Sequence, residues 1–165
     1  MQENLKPLRH FIESGIKVIP THANGATHGS WNDPKRFTGD LDKIKKYWST
    51  GFRKFQFMPY THNLIVIDID RKGGKDGIQE ILALFNDNGL AMPDYLLDVK
   101  QHPAHVKTPS NGFHLYFKYS GNKRFQSGAI DVKTPGFEVV HYNHLIAAPG
   151  SQKDNKRYKF YGDIN

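Results

Sequence analysis

An α+β domain is the fold class this sequence predicts, on three observations. Helical periodicity is concentrated in the first half of the chain, strand-like alternation fills the second half, and the 165 residues are 38% hydrophobic, enough for one compact core. Residues 1–165 are therefore expected to form a single domain.

The elements can be taken in order. In "LKPLRHFIES", Leu5, Leu8, Phe11 and Ile12 fall on one helical face, and Gly15 supplies a stop. "GIKVIP" reads as a short strand. Residues 21 to 39 form a long loop rich in Gly, Asn, His and Pro, of a length that is often functional. "DLDKIKKYWSTG" predicts a second helix, with Asp40 as N-cap, Leu41, Ile44 and Trp48 inward, and Gly51 as its stop. "LIVIDID" is a strand whose unbroken apolar start predicts burial on both faces. Asp76 is placed to cap a third helix, "GIQEILALFNDN", with Ile78, Ile81, Leu82 and Phe85 inward and Gly89 at its end. "YLLDVK", "FHLYFKY", "GAIDVK", "GFEVVHY", "HLIAAP" and "RYKFY" follow as strands.

Charge narrows the partners. Lysine plus arginine exceed aspartate plus glutamate, 23 against 16, a formal net charge of +7. A domain this basic suits polyanions such as nucleic acid and nucleotides. Cysteine is absent, which removes disulfides and thiolate zinc sites and suits a reducing cytosol. No apolar run is long enough for a membrane span or a signal peptide, so a cytoplasmic protein without membrane association is expected.

The chemistry is concentrated at the end of "LIVIDID". Asp68 and Asp70 stand one residue apart, so on a strand they share a face about 7 Å apart. Like charges so placed repel unless a cation lies between them, and a divalent metal with hard oxygen ligands is the natural candidate. In "FHLYFKY", Phe113, Leu115, Phe117 and Tyr119 share one face, while His114, Tyr116 and Lys118 share the other, where an anion could be met. In "GAIDVK", Ile130 and Val132 point one way and Asp131 and Lys133 the other. "GGKDG" lacks the spacing of a phosphate loop and reads as a tight turn. His141 and His144 are expected on opposite faces of a strand, which argues against a shared metal.

The ordered set of "DID", "TPSNGFHLYF", "GAIDVKTPGFEVV", "IAAPGS" and "RYKFY" resembles the primase–polymerase domain of the archaeo-eukaryotic primase superfamily, found at the start of plasmid, phage and other mobile-element replication proteins. The resemblance implies a sheet related to the RNA-recognition-motif fold, flanked by helices, with an N-terminal α/β unit. It implies that Asp68, Asp70 and Asp131 are catalytic metal ligands for Mg²⁺ or Mn²⁺. Ser110 and His114 would hold the phosphates of an incoming nucleotide, with Ile130 beside Asp131 in the third motif. Lys133, sharing a face with Asp131, is added to the nucleotide site, while Lys72, Lys107 and Lys118 are candidates for phosphate or template contacts.

The implied function is that of a DNA primase/DNA-directed polymerase domain: metal-dependent nucleotidyl transfer from (d)NTPs to a 3′-hydroxyl on a DNA template in replication. A helical primase domain and a helicase, fused or separate, are the implied partners, with this chain as the N-terminal part of a larger protein. The alternative is a non-catalytic DNA- or nucleotide-binding module. Clustered carboxylates, which repel phosphate without metal, count against it. A metal-dependent glycosyltransferase would leave His114, Asp131 and the basicity unexplained. A nicking enzyme would need a second histidine that "GFHLYF" lacks.

Overall fold

The structure, a computed structural model, describes residues 2–22, 26–27, 30–125, 128–129 and 136–162. Helix α1 (Gln2–Glu13) leads into β1 (Ile19–Thr21). Helix α2 (Leu41–Ser49) begins where the Asp40 carboxylate accepts hydrogen bonds from the Asp42 and Lys43 N–H groups, as the sequence predicts, and it buries Ile44 and Trp48. Strands β2 (Lys54–Phe57) and β3 (Leu64–Ile69) follow, then α3 (Gly77–Asp87) and the short α4 (Asp94–Leu97). Among the described residues the strands that follow are β4 (Ala104–Lys107), β5 (Phe113–Lys118), β6 (Gly128–Ala129), β7 (Phe137–Val140), β8 (Ile146–Ala147), β9 (Gln152–Lys153), β10 (Lys156–Arg157) and β11 (Lys159–Gly162).

A six-stranded antiparallel sheet, in the order β11-β4-β5-β3-β7-β6, organises the molecule, and β3 lies inside it between β5 and β7. A smaller sheet pairs β1, β2 and β8. Side-chain alternation along β3 gives the large sheet two apolar faces. Leu64 and Val66 join Tyr116, Val140 and Val106 under Leu5, Leu8, Phe11 and Ile12 of α1 and the small sheet. Ile69 joins Phe113, Leu115 and Phe137 beneath Ile81 of α3 and Leu96 of α4. This is the helix-flanked α+β architecture expected.

The departures have physical reasons. "YLLDVK" is not a strand: it forms α4 and a 3₁₀ turn at Val99–Gln101. A strand would put Tyr95, Leu97 and Val99 on one face, yet Leu97 is 67% exposed, while Leu96 and Val99, one helical turn apart, are both buried. Asp76 precedes α3 but makes no capping hydrogen bond, because its carboxylate pairs with Arg71 at 3.3 Å. In α3 the residue packed on the core is Leu84 rather than Leu82. Strands β2, β4 and β9 have no counterpart in the sequence reading.

Candidate active site at the end of the central strand

Antiparallel register builds the site. On β3, Asp68 lies opposite His114 of β5 on one side and Glu138 of β7 on the other. Cross-strand neighbours share a face, so a Glu138–Asp68–His114 row crosses three strands, one pleat beyond the buried Val66. His114 Nε2 approaches Asp68 Oδ1 at 3.5 Å, and His144 Nδ1 lies 3.4 Å from Glu138 Oε1. Asp70 stands just past the strand, with Lys72 Nζ 3.0 Å from its Oδ1.

Two close backbone approaches fix this end of β3. The Asp70 N–H donates to the Gly136 carbonyl at 2.7 Å, and the Asp70 carbonyl accepts from the Gly77 N–H at 3.0 Å. A Cβ on Gly77 would stand 2.0 Å from the Gly136 oxygen, so the start of α3 can lie against β7 only without a side chain there. The Gly136 N–H in turn donates to the Glu80 carboxylate. On the other side, a Cβ on Gly112 would meet the Ile69 oxygen at 2.1 Å. The β4–β5 turn is thereby pressed against the end of β3, and it carries Ser110, whose hydroxyl lies 3.3 Å from Thr108 Oγ1.

The electrostatics follow from burying charge beside charge. Burial, and then the neighbouring Asp70, push the Asp68 carboxyl up to about 6; Lys72 and His144 offset this in part. Burial pushes His114 down to about 3, against the pull of Asp70, so its imidazole is neutral at pH 7. Its Nδ1 is buried without a hydrogen-bond partner. The Tyr158 ring packs 5.5 Å from that of His114. Burial, then Asp68, Asp70 and Asp154, push the Tyr158 hydroxyl up to about 12.

Three of the predicted residues, Asp68, Asp70 and His114, come together, and Ser110 lies on the turn packed beside them. Ile130, Asp131 and Lys133 lie outside the described residues. His141 and His144 occupy separate settings: His141 Nδ1 accepts the Phe125 N–H, while His144 pairs with Glu138. The reading of β5 as core on one side and chemistry on the other is corrected by Tyr116, which shares the His114 face yet is buried in the core. Glu138 and Tyr158 escaped the sequence reading. Only the long-range register of β7 on β3, and the packing of Tyr158 on His114, reveal them.

The donor set suits a hard divalent cation. Asp68 and Asp70 offer carboxylate oxygens, and the raised Asp68 carboxyl reflects in part an acidic pair that a cation would relieve. Among the described residues, no group of three His, Cys, Asp or Glu side chains is arranged to hold a metal.

Over residues 8–164 the sequence matches the Prim-Pol family, described as "Bifunctional DNA primase/polymerase, N-terminal". No curated protein matches the chain. Among the described residues, no helix is long and apolar enough to cross a membrane.

Proposed function

This chain belongs to the Prim-Pol family, which carries primase/polymerase function, and from the end of β3 we propose that it transfers nucleotidyl groups from (d)NTPs to a DNA primer on a template. The observation that carries the reading is the register that sets Asp68 beside His114, with Asp70 following at the strand end. In the reaction the primer 3′-oxygen bonds to the α-phosphorus, the bond to the leaving pyrophosphate breaks, and the hydroxyl proton passes to solvent water. Asp68 and Asp70, together with Asp131, would hold Mg²⁺ or Mn²⁺, which when bound would neutralise the triphosphate and lower the hydroxyl pKa.

The protein's own groups orient the nucleotide. The neutral His114 ring has one N–H, and on Nε2 it donates to an anionic phosphate oxygen. Such an anion also favours the protonated ring, opposing the effect of burial. The Ser110 hydroxyl is a second, neutral donor at the mouth of the β4–β5 turn, and Lys133 completes the nucleotide site. Lys72, against Asp70, balances the acidic pair while the site awaits its substrate.

Primer extension on a primed single-stranded template, with Mg²⁺ or Mn²⁺ and with dNTPs or NTPs, tests this reading. Extension by the wild type should fall by at least about 10²–10³-fold in Asp68→Ala/Asp70→Ala, the scale of losing electrostatic stabilisation of a transition state. Extension retained by that variant overturns the assignment.

A further inference from the structure

A cleft of about 470 Å³ lies between the start of β2 and the β9–β10 hairpin, lined among others by Thr50, Arg53, Lys54, Gln152, Lys153 and Asp154. We propose that it binds backbone phosphates of the nucleic-acid strand that serves the active site, through Lys54, Lys153 and Arg53. This assignment rests on reading the end of β3 as a polymerase site.

The fold forces the cations together. The Gln152 N–H donates to the Arg53 carbonyl at 2.7 Å, which stitches the hairpin to β2. One residue along, the Ser151 hydroxyl donates to the Phe55 carbonyl at 2.9 Å and accepts the Phe55 N–H at 3.0 Å. Lys54 and Lys153 are thereby neighbours. Among the described residues neither has a carboxylate within ion-pair distance; Asp154, at the hairpin turn, pairs with neither. Burial, and then Lys153, push the Lys54 ammonium below the usual lysine range. Two unpaired ammonium groups, one of them half-buried, are a costly arrangement that a bound anion relieves. Arg53 adds a fixed guanidinium, which donates to the Trp48 carbonyl and lies 4.9 Å over the Trp48 ring. Its Nε and Nη2 donors have no partner among the described residues.

Position argues for a strand rather than a free nucleotide. The hairpin turns tightly at Asp154 and Asn155, both with positive φ, and then runs through Lys156 and Arg157 into Tyr158, against His114. Asp154 raises the Tyr158 hydroxyl, as do Asp68 and Asp70, so Tyr158 lies within electrostatic reach of both the hairpin tip and the active-site carboxylates. A strand whose end is extended at β3 meets this hairpin on its way out.

The test is a salt titration of a fluorescein-labelled primer–template, followed by anisotropy. It compares the wild type, Lys54→Gln/Lys153→Gln, the charge-keeping Lys54→Arg/Lys153→Arg, and Lys6→Gln/Lys100→Gln as a surface control. Loss of two phosphate contacts should reduce the slope of log K against log salt by roughly 1.8, with about tenfold weaker binding at low salt. The arginine variant and the surface control should keep the wild-type slope, and Mn²⁺–dATP binding should be unchanged throughout. An unchanged slope in the glutamine variant, or no DNA binding by the wild type, overturns the proposal. Loss of Mn²⁺–dATP or inorganic phosphate binding with DNA binding intact overturns the strand assignment in favour of free nucleotide. Failure of the polymerase reading is read separately, as extension retained by Asp68→Ala/Asp70→Ala.

Discussion

Val66 and Asp68 stand two residues apart on β3 and face the same side of the sheet, yet they lie in opposite regimes. Around Val66, fully buried, the register places Tyr116 and Val140, and the Phe11 ring of α1 closes over them at 6.0 Å from Tyr116. Around Asp68, whose side chain is 31% exposed, it places His114 and Glu138. The sealed end fixes strand spacing by close packing, and the open end inherits that spacing. The site is thus held to the geometry of a packed sheet, while carrying groups that do not stabilise it: a raised carboxyl and an imidazole with an orphaned Nδ1.

The sealed end should give the largest effect on folding. Phe11→Ala removes a ring that meets Phe57 edge-on at 4.8 Å, and should cost about 3–5 kcal/mol in urea denaturation. Extension per folded molecule should be nearly unchanged; a loss of activity without a loss of stability would show that the two ends are not separable in this way. At the open end, His114→Ala should raise KM for the nucleotide by about 10–100-fold, the range for a hydrogen bond to a charged group, with a smaller change in kcat. Steady-state extension kinetics check it, and an unchanged KM would remove His114 from the nucleotide site.

A smaller effect separates the two neighbours by sign. Asp68, raised from 3.8 to about 6, favours the folded state fully below pH 3.8, and that contribution is lost as pH rises through 6. His114, lowered from 6.5 to about 3, favours the folded state fully above pH 6.5, and that contribution is lost as pH falls toward 3. Asp68→Asn should therefore raise the urea midpoint at pH 7.5. It should also make stability fall more steeply between pH 6 and 4, because the histidine contribution is no longer opposed. Parallel pH profiles for wild type and variant would refute the burial argument for Asp68.

Local rules made much of this readable in the sequence. The Asp40 cap, the apolar face of α1 and the alternation on β5 each depend on residues a few positions apart, and each is found in the structure. "YLLDVK" misled because four hydrophobic residues in six fit either period, and only the exposure of Leu97 decides between them. The "DID" pair was legible as a site because its chemistry is local. Glu138 was not, since nothing near "GFEVV" records which residue of β3 it will face. The β9–β10 cleft escaped for the same reason: Lys54 and Lys153 lie 99 positions apart and meet only through the stitching of Ser151 and Gln152 onto β2.

The most direct measurement of the central claim is Mn²⁺ binding followed by electron paramagnetic resonance. It would compare wild type with Asp68→Asn/Asp70→Asn from pH 5 to 8, with and without a dNTP. The account predicts binding by the wild type that weakens as pH falls through about 6, where Asp68 takes up its proton, is strengthened by the nucleotide, and is at least about tenfold weaker in the variant. Equal Mn²⁺ binding by the two proteins across that range would contradict it.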